Sequence, residues 1–326
     1  MELPSTLQAA LEEELKSLPQ KELLSAAEAV SLRYRERKAR GFYIENRKEA
    51  LAYALARMPA TYGAVHTALS SALAALGEGG RLPRGPLSLL DLGAGTGAAS
   101  WAAAGLLELS SISCLEYAPS MEAVGKSLMR RGEGPLKGAR WKRADLASQP
   151  IGEEADVVIA SYMLNELEQS AGLRAAEKAW QAAGKLLLLV EPGTPEGYGV
   201  LRGIREALLR RGAHVLAPCP HREACPLPPG EWCHFSWRIQ RSRLHKMAKG
   251  GEAPYEDEKF AFLALSREPV PQRAGGRVLR HPYTGKGYVK LELCAGEGLL
   301  QKTVSKREGA LYKAARKAGW GDWLSF

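Results

Sequence analysis

The sequence predicts an α/β protein. A doubly wound, mainly parallel sheet follows an N-terminal helical region, takes a cysteine-bearing insertion, and ends in a small β-rich appendage. Three observations predict this. Short β-rich runs alternate with helical ones from Leu87 onward, an apolar run enters the glycine-rich turn Gly93-Ala94-Gly95-Thr96-Gly97, and the first segment carries apolar residues at helical spacing.

The helical region covers residues 1–84. Leu7, Ala10, Leu11, Leu15 and Leu18 share one helix face, as do Leu51, Leu55 and Met58. Pro19 and Pro59 are read as punctuation between helices, and residues 77–86, with Gly77, Gly79, Gly80, Pro83 and Pro86, as a linker. Residues 33–40 form a basic run that suits either a solvated helix face or RNA. The Rossmann-like core spans 85–215, with strands expected at Leu87–Leu92, 111–117, 156–161 and 185–191. A basic, cysteine-rich insertion occupies 216–258. The last part, 259–326, begins with a further core strand at 259–266; alternating runs at 277–281 and 287–293 and a short helix at 311–317 form the appendage.

Whole-chain composition limits the partners. The 326 residues carry 45% hydrophobic and 25% charged side chains, ordinary for a globular protein, but the net charge is +9 and the pI about 9.3. Such a balance favours a polyanion, nucleic acid ahead of an anionic membrane. The charge is uneven: residues 216–326 hold 19 Lys and Arg against 11 Asp and Glu, so nearly all of the excess lies with the cysteines. No apolar run approaches the roughly eighteen residues of a membrane span. The start, Met1-Glu2-Leu3-Pro4, lacks a secretory layout, from which a cytoplasmic, reducing setting and a monomer without membrane attachment are expected. In that setting five cysteines read as metal ligands or buried thiols rather than disulfides.

The glycine turn carries the first chemistry. Glycines let the backbone approach a ligand and adopt positive φ, and the helix beyond offers free N–H groups. Asp91 ends the strand before the turn, and Glu116 follows about twenty residues later at the end of the next strand, where a carboxylate can accept bonds from ribose hydroxyls. This Gly-x-Gly-x-Gly spacing after an acidic strand end resembles the class I S-adenosylmethionine methyltransferases; a dehydrogenase and a cofactor-free Rossmann-like domain are the competing readings. The resemblance implies cofactor contacts from Asp91, Gly93, Ala94, Gly95, Gly97, Glu116 and Tyr117, from Asp145 and Leu146 near the adenine, and from Asn165. The Asn-Pro-Pro-aromatic motif of amino-directed base methyltransferases is missing, with Ser161-Tyr162-Met163-Leu164-Asn165-Glu166 in its place. Cofactor binding is therefore better supported than methyl transfer, for which Asn165 and Glu191 are the candidate polar groups and no catalytic residue is assigned.

Cys219, Cys225 and Cys233 cluster in the insertion and Cys294 lies further on; Cys114, inside an apolar strand, reads as buried. Four thiolates complete either a zinc or an iron–sulfur site. The spacing lacks paired C-x2-C knuckles, which lowers the case for zinc. His221 and His234 flank the cysteines and are expected beside the ligands or at the surface.

With the motif Glu191-Pro192-Gly193-Thr194-Pro195-Glu196-Gly197, the runs at 90–97, 219–225, 232–235 and 262–267 complete a wider likeness. From about residue 39 to 323 the chain resembles the methyltransferase-like small-ribosomal-subunit assembly factors of bacteria and mitochondria. The resemblance implies a class I methyltransferase fold that binds S-adenosylmethionine, works on or near 16S rRNA, and holds a 4Fe–4S cluster on Cys219, Cys225, Cys233 and Cys294, with methylation of rRNA left open. RNA contacts are expected from Arg238, Arg241, Arg243, Lys246 and Lys249, with Trp232 and Trp237 either stacking on bases or packed around the cluster. The alternative is an active methyltransferase on a protein or small molecule with a structural zinc site. The basic C-terminal third favours the ribosomal reading.

Overall fold

A computed structural model describes residues 3–36, 44–78, 85–249, 253–270 and 273–326. Residues 37–40 of the basic run and 79–84 of the expected linker lie outside the described residues, as does the side chain of Lys249.

Three helices open the chain: α1 (Ser5–Lys16), α2 (Gln20–Glu36) and α3 (Arg47–Glu78). The expected break at Pro59 does not occur, for α3 runs through it. An interior proline costs a helix about 3 kcal/mol, but Ala50, Leu51, Ala54, Met58, Ala64, Val65, Ala68 and Leu69 of this helix are fully or almost fully buried. Burial of several large side chains at about 1.5–3 kcal/mol each outweighs that cost.

The core then alternates strand and helix: β1 (Leu87–Leu92), α4 (Ala98–Ala104), β2 (Leu109–Glu116), α5 (Pro119–Met129), β3 (Arg140–Arg143), β4 (Ala155–Ser161), α6 (Gln169–Ala182), β5 (Ala183–Pro192), α7 (Pro195–Arg210) and β6 (His214–Ala217). After the cysteine loop come β7 (Phe235–Gln240), α8 (Arg243–Lys249) and β8 (Tyr255–Ser266). The main sheet runs β3-β2-β1-β4-β5-β8-β6, with β7 paired to β8. Strands β1 to β5 pair in parallel, and β8 enters antiparallel between β5 and β6. That is the class I methyltransferase form of the doubly wound fold. The near-continuous apolar runs of β1, β4 and β5 follow from burial on both faces. One face packs under α3, α4 and α5, the other under α6 and α7.

β8 is twelve residues long because its second half lies between β5 and β6 while its first half serves β7. Phe260 to Ser266 pair with β5, while Tyr255 to Phe260 pair with β7. β3, β6 and β7 were not expected from the sequence; β3 reads Arg-Trp-Lys-Arg, an edge strand with little apolar alternation.

A second, antiparallel sheet follows, from β9 (Gly276–Val278), β10 (Tyr283–Gly285), β11 (Tyr288–Ala295), β12 (Gly298–Ser305) and β13 (Trp323–Leu324). Helix α9 (Ala310–Lys317) covers one face over Val278, Val289, Leu291, Leu293 and Val304. β12 was also unexpected, since only one of its residues is buried and its sequence shows no clean alternation.

Candidate functional site

The turn after β1 places Gly93, Gly95 and Gly97 at φ of 64°, 56° and 87°, where a side chain would be strained. Asp91 does not face the turn's ligand side. It is fully buried, its Oδ2 accepts from the Ser100 backbone N–H at 3.0 Å and from Ser100 Oγ at 2.7 Å, and it braces α4 against β1. Burial raises its pKa to about 6. Glu116 caps the turn from the neighbouring strand end: Oε2 accepts from Gly95 N at 2.7 Å and Oε1 from Ala118 N at 2.8 Å. The Tyr117 backbone N–H bonds the same carboxylate, which leaves one of its four lone pairs for a ribose hydroxyl. Tyr117 beside it is 48% exposed. Asp145, after β3, accepts from Ala147 N and Ser148 Oγ in its own turn, and the Ser148 bond lowers its pKa; Leu146 is buried beneath.

Asn165 and Glu191 do meet. Asn165 sits in a short 3-10 turn, Leu164–Glu166, with an exposed side chain, and its backbone N–H donates to Glu191 Oε2 at 3.2 Å. Glu191 Oε1 accepts from Leu164 N at 2.9 Å. The Glu191 carboxyl is fully buried, and burial pushes its pKa up to about 8. It holds the turn that follows β4 from below. Tyr162, which starts that turn at φ 57°, donates its hydroxyl to Glu258 Oε1 at 3.0 Å, and Arg57 of α3 closes on both Glu258 oxygens. This network ties the turn to α3 and β8; nothing in the residue spacing pointed to it.

The remainder of the motif 191–197 is a strand-to-helix device. Gly193 N donates to Lys259 O, and a Cβ on Gly193 would lie 2.7 Å from Phe260 N. Thr194 caps α7, its Oγ1 accepting from Gly197 N at 3.2 Å, and Pro195 takes the first helical position. A Cβ on Gly197 would stand 2.2 Å from Pro192 O.

The four cysteines line one cavity of about 60 Å³ between α7, the 218–235 loop, β8 and the small sheet. Tyr198 of α7 donates to Cys225 Sγ at 3.0 Å, and His221 Nε2 lies 3.5 Å from Cys294 Sγ. Burial raises the pKa of Cys219, with Arg205 opposing it; burial and neighbouring thiols raise that of Cys233; burial, then Cys219 and Cys225, push Cys294 up to about 12. Two guanidiniums are buried with them. Arg205 donates to His221 O, and its Nε has no partner; Arg277 donates to Pro218 O, Gly321 O and Ser71 Oγ. Neither forms an ion pair with a carboxylate among the described residues, and burial lowers the Arg277 pKa to about 10. Two buried cations beside four thiols suit a thiolate-bound metal centre, whose negative charge would complement them. Among the described residues, however, no three Cys, His, Asp or Glu already stand in metal-binding geometry. His234 stays out of the cavity, packed between Trp232 and Trp320.

The expected RNA-contacting run is not beside the cysteines in space. β7 carries it away from Cys233 by about 20 Å, and α8 packs on α2 and α3. Arg238 pairs with Asp257, and Arg241, largely buried, pairs with Glu256. Both charges are met within the sheet edge. Arg243 is exposed and Lys246 partly so. Trp232 donates to Gly193 O, and Trp237 lies across Gly63 of α3; both are packed.

No helix among the described residues is long and apolar enough to cross a membrane. Among solved structures the chain is similar to magnesium protoporphyrin IX methyltransferase from Synechocystis with bound S-adenosylmethionine: 15% identity, TM-score 0.40, covering 72% of this chain and 90% of that one. A TehB-like S-adenosylmethionine-dependent methyltransferase from Corynebacterium glutamicum gives 14%, 0.40, 75% and 98%. The fold assignment rests on the strand order. Among curated relatives, the human mitochondrial ribosome assembly protein METTL17 is 28% identical over 259 residues, covering 73% of this chain and 55% of that protein. The mitochondrial ribosome assembly protein RSM22 of Saccharomyces cerevisiae is 22% identical over 287 residues, 55% of this chain and 46% of that protein. The chain thus spans about half the length of these relatives. Their names are mitochondrial, and none supports the cytoplasmic expectation. Residues 47–325 match the family model described as mitochondrial small ribosomal subunit Rsm22, and the chain belongs to that family.

Proposed function

We propose that this protein is an assembly factor of the small ribosomal subunit that binds 16S rRNA. In this reading it holds S-adenosylmethionine at the 93–97 turn and a metal centre, a 4Fe–4S cluster ahead of zinc, on Cys219, Cys225, Cys233 and Cys294. The carrying observation is the cavity that gathers four thiols around two buried arginines without carboxylate partners. When bound, such a centre supplies folding energy rather than substrate chemistry, since four cysteines leave it no open position. It would join the 218–235 loop to β11 of the small sheet. A reducing compartment, cytoplasm or mitochondrial matrix, keeps the thiols available. The divisions 1–84, 85–215, 216–258 and 259–326 belong to the same proposal.

Binding is favoured over methyl transfer. Glu191 has both oxygens engaged by backbone N–H groups beneath the turn, and Asn165 presents only a neutral amide. For the cofactor, the chain's own residues orient and bind: the three glycines open the backbone, and Glu116 offers its remaining lone pair.

Anaerobic purification tests the centre. A brown protein absorbing at about 400 nm is expected; a colourless protein with one zinc per chain overturns the cluster. Modification mapping of 16S rRNA from a strain lacking the protein, beside subunit profiles, tests the role. Depleted small subunits with every methyl mark intact are expected. A lost mark makes the protein an enzyme, and normal subunits overturn the assembly role.

A further inference from the structure

The core between residues 85 and 217 is nearly neutral, with fourteen Lys and Arg against fifteen Asp and Glu, whereas residues 276–326 hold ten against four. Four of these ten cations gather at one end of the small sheet. The cross-strand pairs Tyr283 with Lys290, Gly285 with Tyr288, Lys290 with Thr303, and Tyr288 with Ser305 set these residues on the face opposite α9. Tyr283 is 61% exposed, the most exposed of the large apolar side chains, and its ring centroid lies 6.2 Å from that of Tyr288. Lys290 Nζ stands 5.9 Å from the Tyr288 ring centroid. Lys286 occupies the hairpin turn between β10 and β11, and Lys306 and Arg307 follow β12 at the same end, Lys306 N bonding Gly287 O. All four cations are exposed, and none enters an ion pair among the described residues.

An apolar residue packed for stability would not leave its ring in water. Two neighbouring aromatics on an antiparallel face, ringed by unpaired cations, are what a single-stranded nucleic acid requires: π-faces for unstacked bases and positive charge for the phosphates between them. A protein partner of acidic character would use the cations but would not need an exposed tyrosine ring beside a second, partly exposed one.

We propose that the Tyr283–Tyr288 face of the small sheet, with Lys286, Lys290, Lys306 and Arg307 around it, is a stacking platform for a single-stranded segment of RNA. This rests on the reading of the protein as an rRNA-binding factor and says which surface does the binding. It moves the principal contact from the 238–249 run, where Arg238 and Arg241 are paired with Asp257 and Glu256, to the far end of the small sheet. Glu292, on the same face two residues from Lys290, marks where the platform stops.

The test uses the full chain, purified anaerobically, with a 16S rRNA transcript and a uridine 20-mer as probes. Tyr283→Ala weakens binding of both about 5- to 100-fold, the range for loss of one stacked base. The double variant Lys286→Ala, Lys290→Ala flattens the slope of log K against log salt by about 1.4 on the 20-mer. Glu292→Lys tightens both. All four positions are exposed, so unchanged melting temperatures accompany these effects. Wild-type protein that binds neither probe overturns the rRNA-binding reading and the platform together. Wild-type binding that Tyr283→Ala and the lysine pair leave unaltered overturns the platform alone. Loss of co-sedimentation with assembled subunits while both naked RNAs still bind makes the face a protein-docking surface instead.

Discussion

Glu191 holds its proton in the folded chain at pH values where a solvated carboxyl has lost it. Its ordinary value of 4.5 becomes about 8 through burial, so the native state binds more protons across that window and stability falls as pH rises through it, by at most about 1.4 kcal/mol per pH unit. Glu191→Gln keeps one acceptor oxygen for the Leu164 N–H, gives up the Asn165 bond to the other oxygen, and removes the titration. Relative to wild type, this variant gains stability in urea unfolding between about pH 5 and pH 8 and no further above it; a pH-independent difference would place the proton elsewhere. Arg277 is the second decisive residue. It reaches the carbonyl before Cys219, the β13 side of the small sheet and Ser71 of α3. Arg277→Met, which keeps the volume but removes the counter-charge, should lower bound metal per chain by more than half, as metal analysis would show. Full occupancy in that variant would separate the arginine from the centre.

Elements here are fixed by packing where local preference points the other way. α3 continues through Pro59 because both sides of the helix are buried, yet the proline still withholds one N–H from the ladder. Pro59→Ala should therefore raise stability by about 1 kcal/mol or more in urea unfolding; a loss would mean that the ring fills space that alanine leaves empty. The β5–α7 junction is the opposite case, where sequence and geometry agree. Gly197 faces the Pro192 carbonyl so closely that Gly197→Ala must displace the first turn of α7, costing about 2 kcal/mol or more. Thermal melting at wild-type values would show that the turn relaxes freely.

At the scale of the molecule, the cysteine cavity sits where the cofactor sheet, the 218–235 loop and the small sheet meet. β11 spans it, with Cys294 at one end and Tyr288 and Lys290 at the other. Loss of the centre should then loosen the small sheet and weaken RNA binding in the same step. Cys225→Ser, which leaves the platform untouched, is expected to lower the melting temperature and RNA affinity together, and chelation of the metal should reproduce both. Wild-type affinity with a lowered melting temperature would uncouple the two ends of β11.

The sequence by itself determined the doubly wound core, because period-two and helical apolar patterns and a glycine turn needing positive φ are local facts. It marked the four cysteines and the 191–197 motif for the same reason: unusual residues at fixed short spacing. It did not reveal β3, β6 or β12, edge strands that are short or lack clean apolar alternation, nor β7, which alternates but is only six residues beside the cysteine run, nor the Arg57–Glu258–Tyr162 network, whose hydrogen-bonded members stand 96 and 201 residues apart. Only the tertiary structure decided which charges are free. Arg238 and Arg241 read as an RNA-binding run until β8 brings Asp257 and Glu256 alongside. Nothing in the sequence singled out Arg205 and Arg277, which folding buries with the thiols. Charge in a sequence counts residues, but its availability depends on partners that only long-range pairing supplies.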